Sequence, residues 1–172
     1  IPLIYVSHAL EEVAQLADHL VLMEAGRVVA SGDIHQLFTR LDLPLAHELE
    51  ASAIIVARVA GFDPEFHLMH LTFAGGSITL AAQPLQPGEQ VRVRLMARDV
   101  SLTLEHQSAT SILNILPAEV TELLPDDPGR VMVRLKVGGT VLLAAVTARS
   151  AHGLDLKPGQ QVWAQIKSVA LL

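Results

Sequence analysis

The sequence predicts an α+β chain in which a short α/β piece precedes two small β-barrels of the OB-like kind, and three observations carry that prediction. The apolar pattern changes near Ala53 from helical to strand spacing and stays strand-like for the remaining 120 or so residues. The β part repeats, since Gly75-Gly76-Ser77-Ile78-Thr79-Leu80-Ala81-Ala82 matches Gly138-Gly139-Thr140-Val141-Leu142-Leu143-Ala144-Ala145, and Leu85-Gln86-Pro87-Gly88 matches Leu156-Lys157-Pro158-Gly159. The two offsets are 63 and 71, so the second copy carries eight extra residues, around Val146 to Gly153. A unit of roughly 60 residues is too long for a solenoid repeat and suits a barrel of about five strands. The expected divisions are residues 1–48, 49–106 and 107–172.

In order along the chain, Leu3-Ile4-Tyr5-Val6 reads as a buried strand ending at Ser7-His8. Ala9 to Ala17 reads as a helix, with Leu10, Val13 and Ala17 at i, i+3 and i+7 and with Glu11 and Glu12 suited to the positive end of its dipole; Ser7 is the expected N-cap. Leu20–Met23 and Arg27–Ala30 flank Glu24-Ala25-Gly26 as a hairpin would. Gly32-Asp33 opens a second helix whose apolar positions are Ile34, Leu37, Phe38 and Leu41, stopped near Pro44. Beyond it, Gly, Pro and Asp punctuate short β segments.

Composition removes several classes of function. The chain has 172 residues and is 51% apolar, enough for a packed core. Its 12 basic and 18 acidic residues give a net charge of −6, which repels phosphodiester backbones and anionic membranes. Six aromatic side chains are too few for a single-strand stacking platform, so no nucleic-acid partner is expected. Without cysteine there is no disulfide, thiolate metal site or thiol nucleophile. Apolar runs of six to eight residues fall far short of the ~18–20 that span a bilayer. The opening residues lack both Met and a signal-peptide pattern, which reads as an excised fragment.

The run IYVSHALEEVAQLADHLVLMEAGRVVASGD resembles the end of the nucleotide-binding domain of ABC transporter ATPases across about 30 residues. By that resemblance His8 is the switch histidine that reaches the γ-phosphate of ATP, a role an imidazole donor can fill as charge develops on the phosphoryl oxygens. The sequence contains no G-x-x-x-x-G-K-[ST] loop, no strand ending in Asp-Glu and no LSGGQ-like signature. ATP and magnesium are therefore expected only in a full-length subunit, and these 172 residues alone are expected not to hydrolyse ATP.

Within the last copy, Ser111-Ile112-Leu113-Asn114, Val146-Thr147-Ala148-Arg149-Ser150-Ala151 and the closing IKSVALL resemble a molybdate-binding Mop domain, also called TOBE or molbindin-like. That family also forms the paired-barrel extension of ATP-binding subunits of bacterial molybdate importers, and an ATPase tail followed by two related β units resembles that arrangement. The resemblance implies molybdate or tungstate as ligand, a homodimer with anions at interfaces between Mop units, a membrane permease partner, and a cytoplasmic position on the inner face of the cell membrane. A tetrahedral dianion only accepts hydrogen bonds, so its site needs N–H groups, hydroxyls and one or two cations. Ser111, Thr147, Ser150, Lys167 and Ser168 supply those groups, Lys167 being one of three lysines in the chain. Many Mop domains carry Arg where this chain has Leu113, which puts affinity or anion choice in question; Arg149 is a candidate replacement. In the first copy Leu95-Met96-Ala97 stands in place of Ile166-Lys167-Ser168, so that barrel is expected to lack an anion site.

The expected function is regulation of ATP-driven uptake by cytosolic oxyanion. Two alternatives stay open: an oxyanion-storage module, and an ATP-binding subunit for another solute whose barrels are purely structural. Other candidates read as ordinary structure. His67 and His70 fall within an expected strand, Phe66 to Phe73, where i and i+3 face opposite sides. Asp126-Asp127 lies between prolines in a turn, and Arg92, Arg94 and Arg98 read as a solvated strand face.

Overall fold

The computed structural model describes residues 2–47 and 50–172, and in it the chain opens without the expected strand. Residues 2–7 join no strand ladder, and Leu3, Ile4 and Val6 lie 79%, 91% and 92% exposed. A strand of this kind forms only against neighbours that take up its N–H and C=O groups, and no described residues flank it. Helix α1 (Leu10–Leu16) follows, with Ala9 rather than Ser7 at its N-cap. Ser7 Oγ instead accepts the Ala9 N–H at 3.0 Å and donates to Glu12 at 2.8 Å, one turn earlier than a cap would act.

The expected hairpin is present as β1 (His19–Glu24) and β2 (Arg27–Asp33), antiparallel across Ala25 and Gly26, whose φ values of 48° and 76° make a primed two-residue turn. Helix α2 (Ile34–Leu37) is shorter than its apolar spacing suggests. Asp33 caps it by accepting the N–H groups of His35 and Gln36. Thr39 Oγ1 then donates to the carbonyls of His35 and Gln36, both at 3.2 Å, and the backbone tightens to i→i+3 bonds, so a further α turn does not form. Ile34, Leu37, Phe38 and Leu41 are nonetheless all buried, as their spacing required.

The β part consists of β3 (Ser52–Asp63), β4 (Leu68–Phe73), β5 (Gly76–Ala81), β6 (Gln90–Met96), β7 (Val100–Thr103), β8 (Asn114–Pro125), β9 (Arg130–Val137), β10 (Thr140–Thr147), β11 (Gln161–Ile166) and β12 (Ala170–Leu171), with helix α3 (Ala148–Gly153) after β10. These strands form two five-stranded antiparallel sheets, ordered β5-β4-β3-β6-β12 and β10-β9-β8-β11-β7. Each sheet holds four strands from one copy of the repeat and the last strand of the other, a reciprocal exchange. The repeat persists at the level of single hydrogen bonds. Val59 N–H donates to Glu89 O and Val59 O accepts from Gly88 N–H, and Val120 does the same with Gln160 and Gly159, each pair beside a bulge. The extra residues of the second copy are α3 and the longer end of β10.

One core fills the space between the sheets, uniting Met69, Leu71, Ile78 and Val93 with Val120, Leu135, Leu142 and Ala164. Where the copies meet, the β4–β5 and β9–β10 turns touch, and Gly139 N–H donates to Ala74 O at 3.1 Å. Asn114 adds a second tie. Its side-chain amide accepts from Thr79 N–H at 2.7 Å and donates to Thr79 O at 2.8 Å, acting as a one-residue strand against edge strand β5. Asn114→Ala leaves two half-buried backbone groups of Thr79 unpaired and is expected to cost about 1–3 kcal/mol, read from the midpoint of a denaturant melt.

The N-terminal piece lies across both sheets. Ile54 packs with Val13, Ala14, Ile34, Phe38 and Leu45, while its neighbours Ala53 and Ile55 face the barrel core, so this stretch of β3 is buried on both sides. Leu41 and Ala46 pack against Met132 and Leu143 of the second sheet. The arginines read as a solvated face are part of this joint. Arg94 is 6% exposed and donates to Ser52 Oγ at 2.9 Å and Glu50 O at 3.0 Å; Arg92 donates to Ala17 O at 2.7 Å and pairs with Asp18. Alternation placed both on the outer face of β6, and the partners lie 75 positions away for Arg92 and 42 and 44 for Arg94, beyond any local pattern. Among the described residues no helix is long and apolar enough to cross a membrane.

Candidate functional site

The predicted anion-binding residues occupy three chain segments. Ser111 lies in the loop before β8, Lys167 and Ser168 lie between β11 and β12, and all three are exposed. Asn114 and Ile166 are ladder partners, so the Ser111 loop and the Lys167-Ser168 pair leave the same end of the β8/β11 ladder. Lys167 N–H donates to Asp99 O at 2.8 Å, which fixes the backbone there, while its ammonium has no acceptor among the described residues. Leu113, 65% exposed, stands beside this group and adds no donor.

Thr147 and Ser150 form a second group at the end of β10. Thr147 caps α3, its Oγ1 accepting the Ser150 N–H at 3.0 Å, and the two hydroxyl oxygens are 2.8 Å apart. One hydroxyl proton is used between them, and the other remains to donate outward. Thr147 pairs with Arg130 and Ala148 N–H donates to Gly129 O, which ties this corner to the β8–β9 turn. Arg149 is exposed on α3. Among the described residues no hydrogen bond joins the Thr147–Ser150 group to Ser111, Lys167 or Ser168. His8 is exposed ahead of α1, apart from both groups.

One concavity is an open groove of about 670 Å³ between α2, β3 and the β9–β10 turn, lined by His35, Arg40, Ile54, Arg134 and Thr140 among others. Its polar nitrogen groups already have protein acceptors: Arg40 pairs with Asp42, Arg134 Nε donates to Thr39 O, and His35 Nδ1 donates to Ile54 O. His67, expected in a strand with His70, sits in the β3–β4 turn with φ 53°, its ring edge against Phe62, while His70 on β4 bonds to Thr79 Oγ1 at 3.0 Å. Among the described residues no group of three His, Asp or Glu side chains could hold a metal ion.

Sequence reasoning missed one charged cluster. Asp126 is not merely a turn residue; its side chain is 5% exposed and meets both Arg130 and His47. His47 Nδ1 lies 2.6 Å from Asp126 Oδ1 and Nε2 lies 2.7 Å from Leu41 O. Both partners are acceptors, so both ring nitrogens donate only in the imidazolium form. The carboxylate of Asp126, foremost, holds the His47 pKa above its ordinary value of 6.5, with the Leu41 carbonyl adding and partial burial opposing. A raised folded-state pKa contributes stability that is fully present below the unfolded value and fades as pH rises through the folded one. Stability is thus expected to decline from pH 6.5 upward, and His47→Gln to flatten that decline in thermal melts taken from about pH 5.5 to 9. No short-range signal could have found the pair, because 79 residues separate them.

Residues 110–172 match the TOBE domain family. Over its full length the chain is 56% identical to the molybdenum import ATP-binding protein ModC of Albidiferax ferrireducens, covering 47% of that protein. It is 51% identical to ModC of Aromatoleum aromaticum, covering 46% of it, and 47% identical to ModC 1 of Azotobacter vinelandii, covering 48%. The chain thus spans about half the length of the curated relatives it matches. The fold is shared with the cytoplasmic molybdate-binding protein ModG, solved with molybdate bound, at a TM-score of 0.62 and 23% identity over 69% of this chain and 93% of that one. With two curled half-barrel sheets, a TOBE match across the second copy and whole-length similarity to one part of these proteins, the chain carries a TOBE domain at residues 110–172 and is similar throughout to molybdenum import ATP-binding proteins.

Proposed function

We propose that this chain is the C-terminal part of the ATP-binding subunit of a molybdate importer and binds molybdate or tungstate through its second β unit, residues 107–172. The observation that carries this reading is the whole-length match to molybdenum import proteins, joined to a fold shared with a molybdate-binding protein. Lys167 supplies the charge, and Ser111, Ser168 and the free hydroxyl proton of the Thr147–Ser150 pair supply neutral donors. A charge-assisted bond to each oxyanion oxygen is stronger than a neutral one, so one ammonium among hydroxyls favours a dianion even in a chain of net charge −6.

Two copies of the chain assemble the site. Within one chain the donors fall into two groups that no hydrogen bond connects, and a homodimer sets the Thr147–Ser150 corner of one copy opposite the Lys167–Ser168 end of another. The first unit, residues 49–106, which carries Met96 and Ala97 at the equivalent positions, is a structural partner. Residues 1–48 are the end of the nucleotide-binding domain, where His8 serves as the switch histidine of the full-length subunit. ATP with magnesium supplies the driving energy there, and the subunit works at the cytoplasmic face of the membrane against a permease partner.

In this reading oxyanion in the cytosol favours one arrangement of the paired ATPase domains and lowers uptake when the metal is plentiful. The anion shifts that equilibrium only by its difference in affinity for the two arrangements. The N-terminal piece supports regulation over storage, since it is packed on both sheets through Ile54, Leu41 and Arg92 rather than hanging free. The test is ATP hydrolysis by the full-length subunit with its permease in proteoliposomes. Molybdate on the cytosolic side slows it and sulfate does not; a rate indifferent to molybdate, with binding retained, returns the chain to a storage role.

A further inference from the structure

The last six residues join the proposed anion site to the N-terminal piece in one continuous path. Lys167 and Ser168 precede Val169, which packs against the barrel core, and then β12, whose Ala170 and Leu171 pair with Arg94 and Val93. Leu172 N–H donates to Arg92 O at 3.0 Å, and the Leu172 side chain packs onto the cluster of Val13, Ile34, Phe38 and Ile54. Arg92 in turn donates to Ala17 O, the C-cap of α1, and pairs with Asp18. The anion-binding lysine is therefore five residues from a side chain embedded in the core of the N-terminal piece.

Strand β12 is the least paired strand of its sheet. It has two residues, both exposed, and two ladder pairs, so its docking on β6 is held by little besides its neighbours. The rest of that sheet is held by ladders of five to seven pairs. The counterpart strand in the other sheet, β7, has four residues and four pairs.

We propose that the C-terminal segment, residues 167–172, is the element that couples oxyanion binding to the N-terminal piece: anion held by Lys167 and Ser168 fixes the start of the segment, favours docked β12, and seats Leu172 and Arg92 against α1. This rests on the site assignment made above. The coupling is a population shift between docked and undocked β12, and its size is set by how much better the docked form holds the anion.

Hydrogen exchange of the full-length protein, with and without molybdate and with sulfate as control, tests this in the wild type and in two variants. Leu172→Ala removes the apolar end of the path and Arg92→Gln removes its polar end, while neither touches the anion donors. In the wild type, molybdate slows exchange several-fold in residues 167–171 and also in residues 10–18. In either variant the slowing at 167–171 persists and that at 10–18 falls to near the unliganded rate. Equal slowing at 10–18 in both variants, or none there in a wild type protected at 167–171, overturns the coupling alone. No slowing at 167–171 overturns the site assignment as well.

Discussion

Lys167→Ala weakens molybdate binding by roughly ten- to a hundredfold while leaving the thermal midpoint close to that of the parent protein. A hydrogen bond to a charged group contributes about 1.5–3 kcal/mol, and each 1.4 kcal/mol is a factor of ten in affinity. The ammonium has no acceptor among the described residues and is exposed, so its removal unpairs nothing in the fold. The backbone bond from Lys167 N–H to Asp99 O survives the substitution. Ser168→Ala, which removes a neutral donor, is expected to weaken binding by less than tenfold. Calorimetric titration of the variants beside the parent measures both, and unchanged affinity in Lys167→Ala would remove this residue from the site.

Gly138→Ala is expected to be strongly destabilising, at about 2–4 kcal/mol. Gly138 has φ 55°, where a Cβ costs about 1 kcal/mol, and the added carbon would sit 2.6 Å from Ala74 O and 2.9 Å from Gly75 Cα. Neither neighbour is a flexible side chain. Overpacking against backbone adds about 1–3 kcal/mol, because one hairpin turn must back away from the other. For a chain of this size that loss lowers Tm by roughly 5–15 °C. Gly129→Ala is the matched control, with a positive φ of 90° and open space around the built Cβ. A melt in which both variants fall equally would assign the cost to backbone conformation alone and contradict the contact between the turns.

The repeat was legible because its turn glycines and prolines recur, and the equivalent Gly88 and Gly159 hold nearly the same positive φ, 85° and 86°. Which sheet each strand joins was not legible. β7 and β12 have four and two residues, too short for a periodic pattern to name a partner, and the exchange that places them is set by the shared core. Arg92 and Arg94 show the same limit from the other side. Their alternation put them on one face of β6, as found, but whether that face meets water depends on the end of α1, 75 residues before Arg92, and on Glu50 and Ser52 for Arg94. Leu3–Val6 kept its strand-like composition without forming a strand, since pairing needs a partner as well as a pattern.

The candidate site was legible as chemistry and not as geometry. Ser, Thr and Lys at the ends of strands named the donors, and the structure sorts them into a Lys167–Ser168 group and a Thr147–Ser150 corner joined by a hydroxyl bond. The Asn of the Ser111–Asn114 segment proved to be the tie that closes β5 onto β8. His47 and Asp126 escaped notice because each reads as ordinary alone, and their significance is the carboxylate that one supplies to the other.

The most direct test of the account is a calorimetric titration of the protein with molybdate, run against sulfate and phosphate under the same conditions. The account predicts saturable heat for molybdate with sulfate and phosphate far weaker, and a sample that sediments as a dimer. No heat from a folded dimer would contradict it, leaving the β units as a structural support and the ligand of the importer to be sought elsewhere.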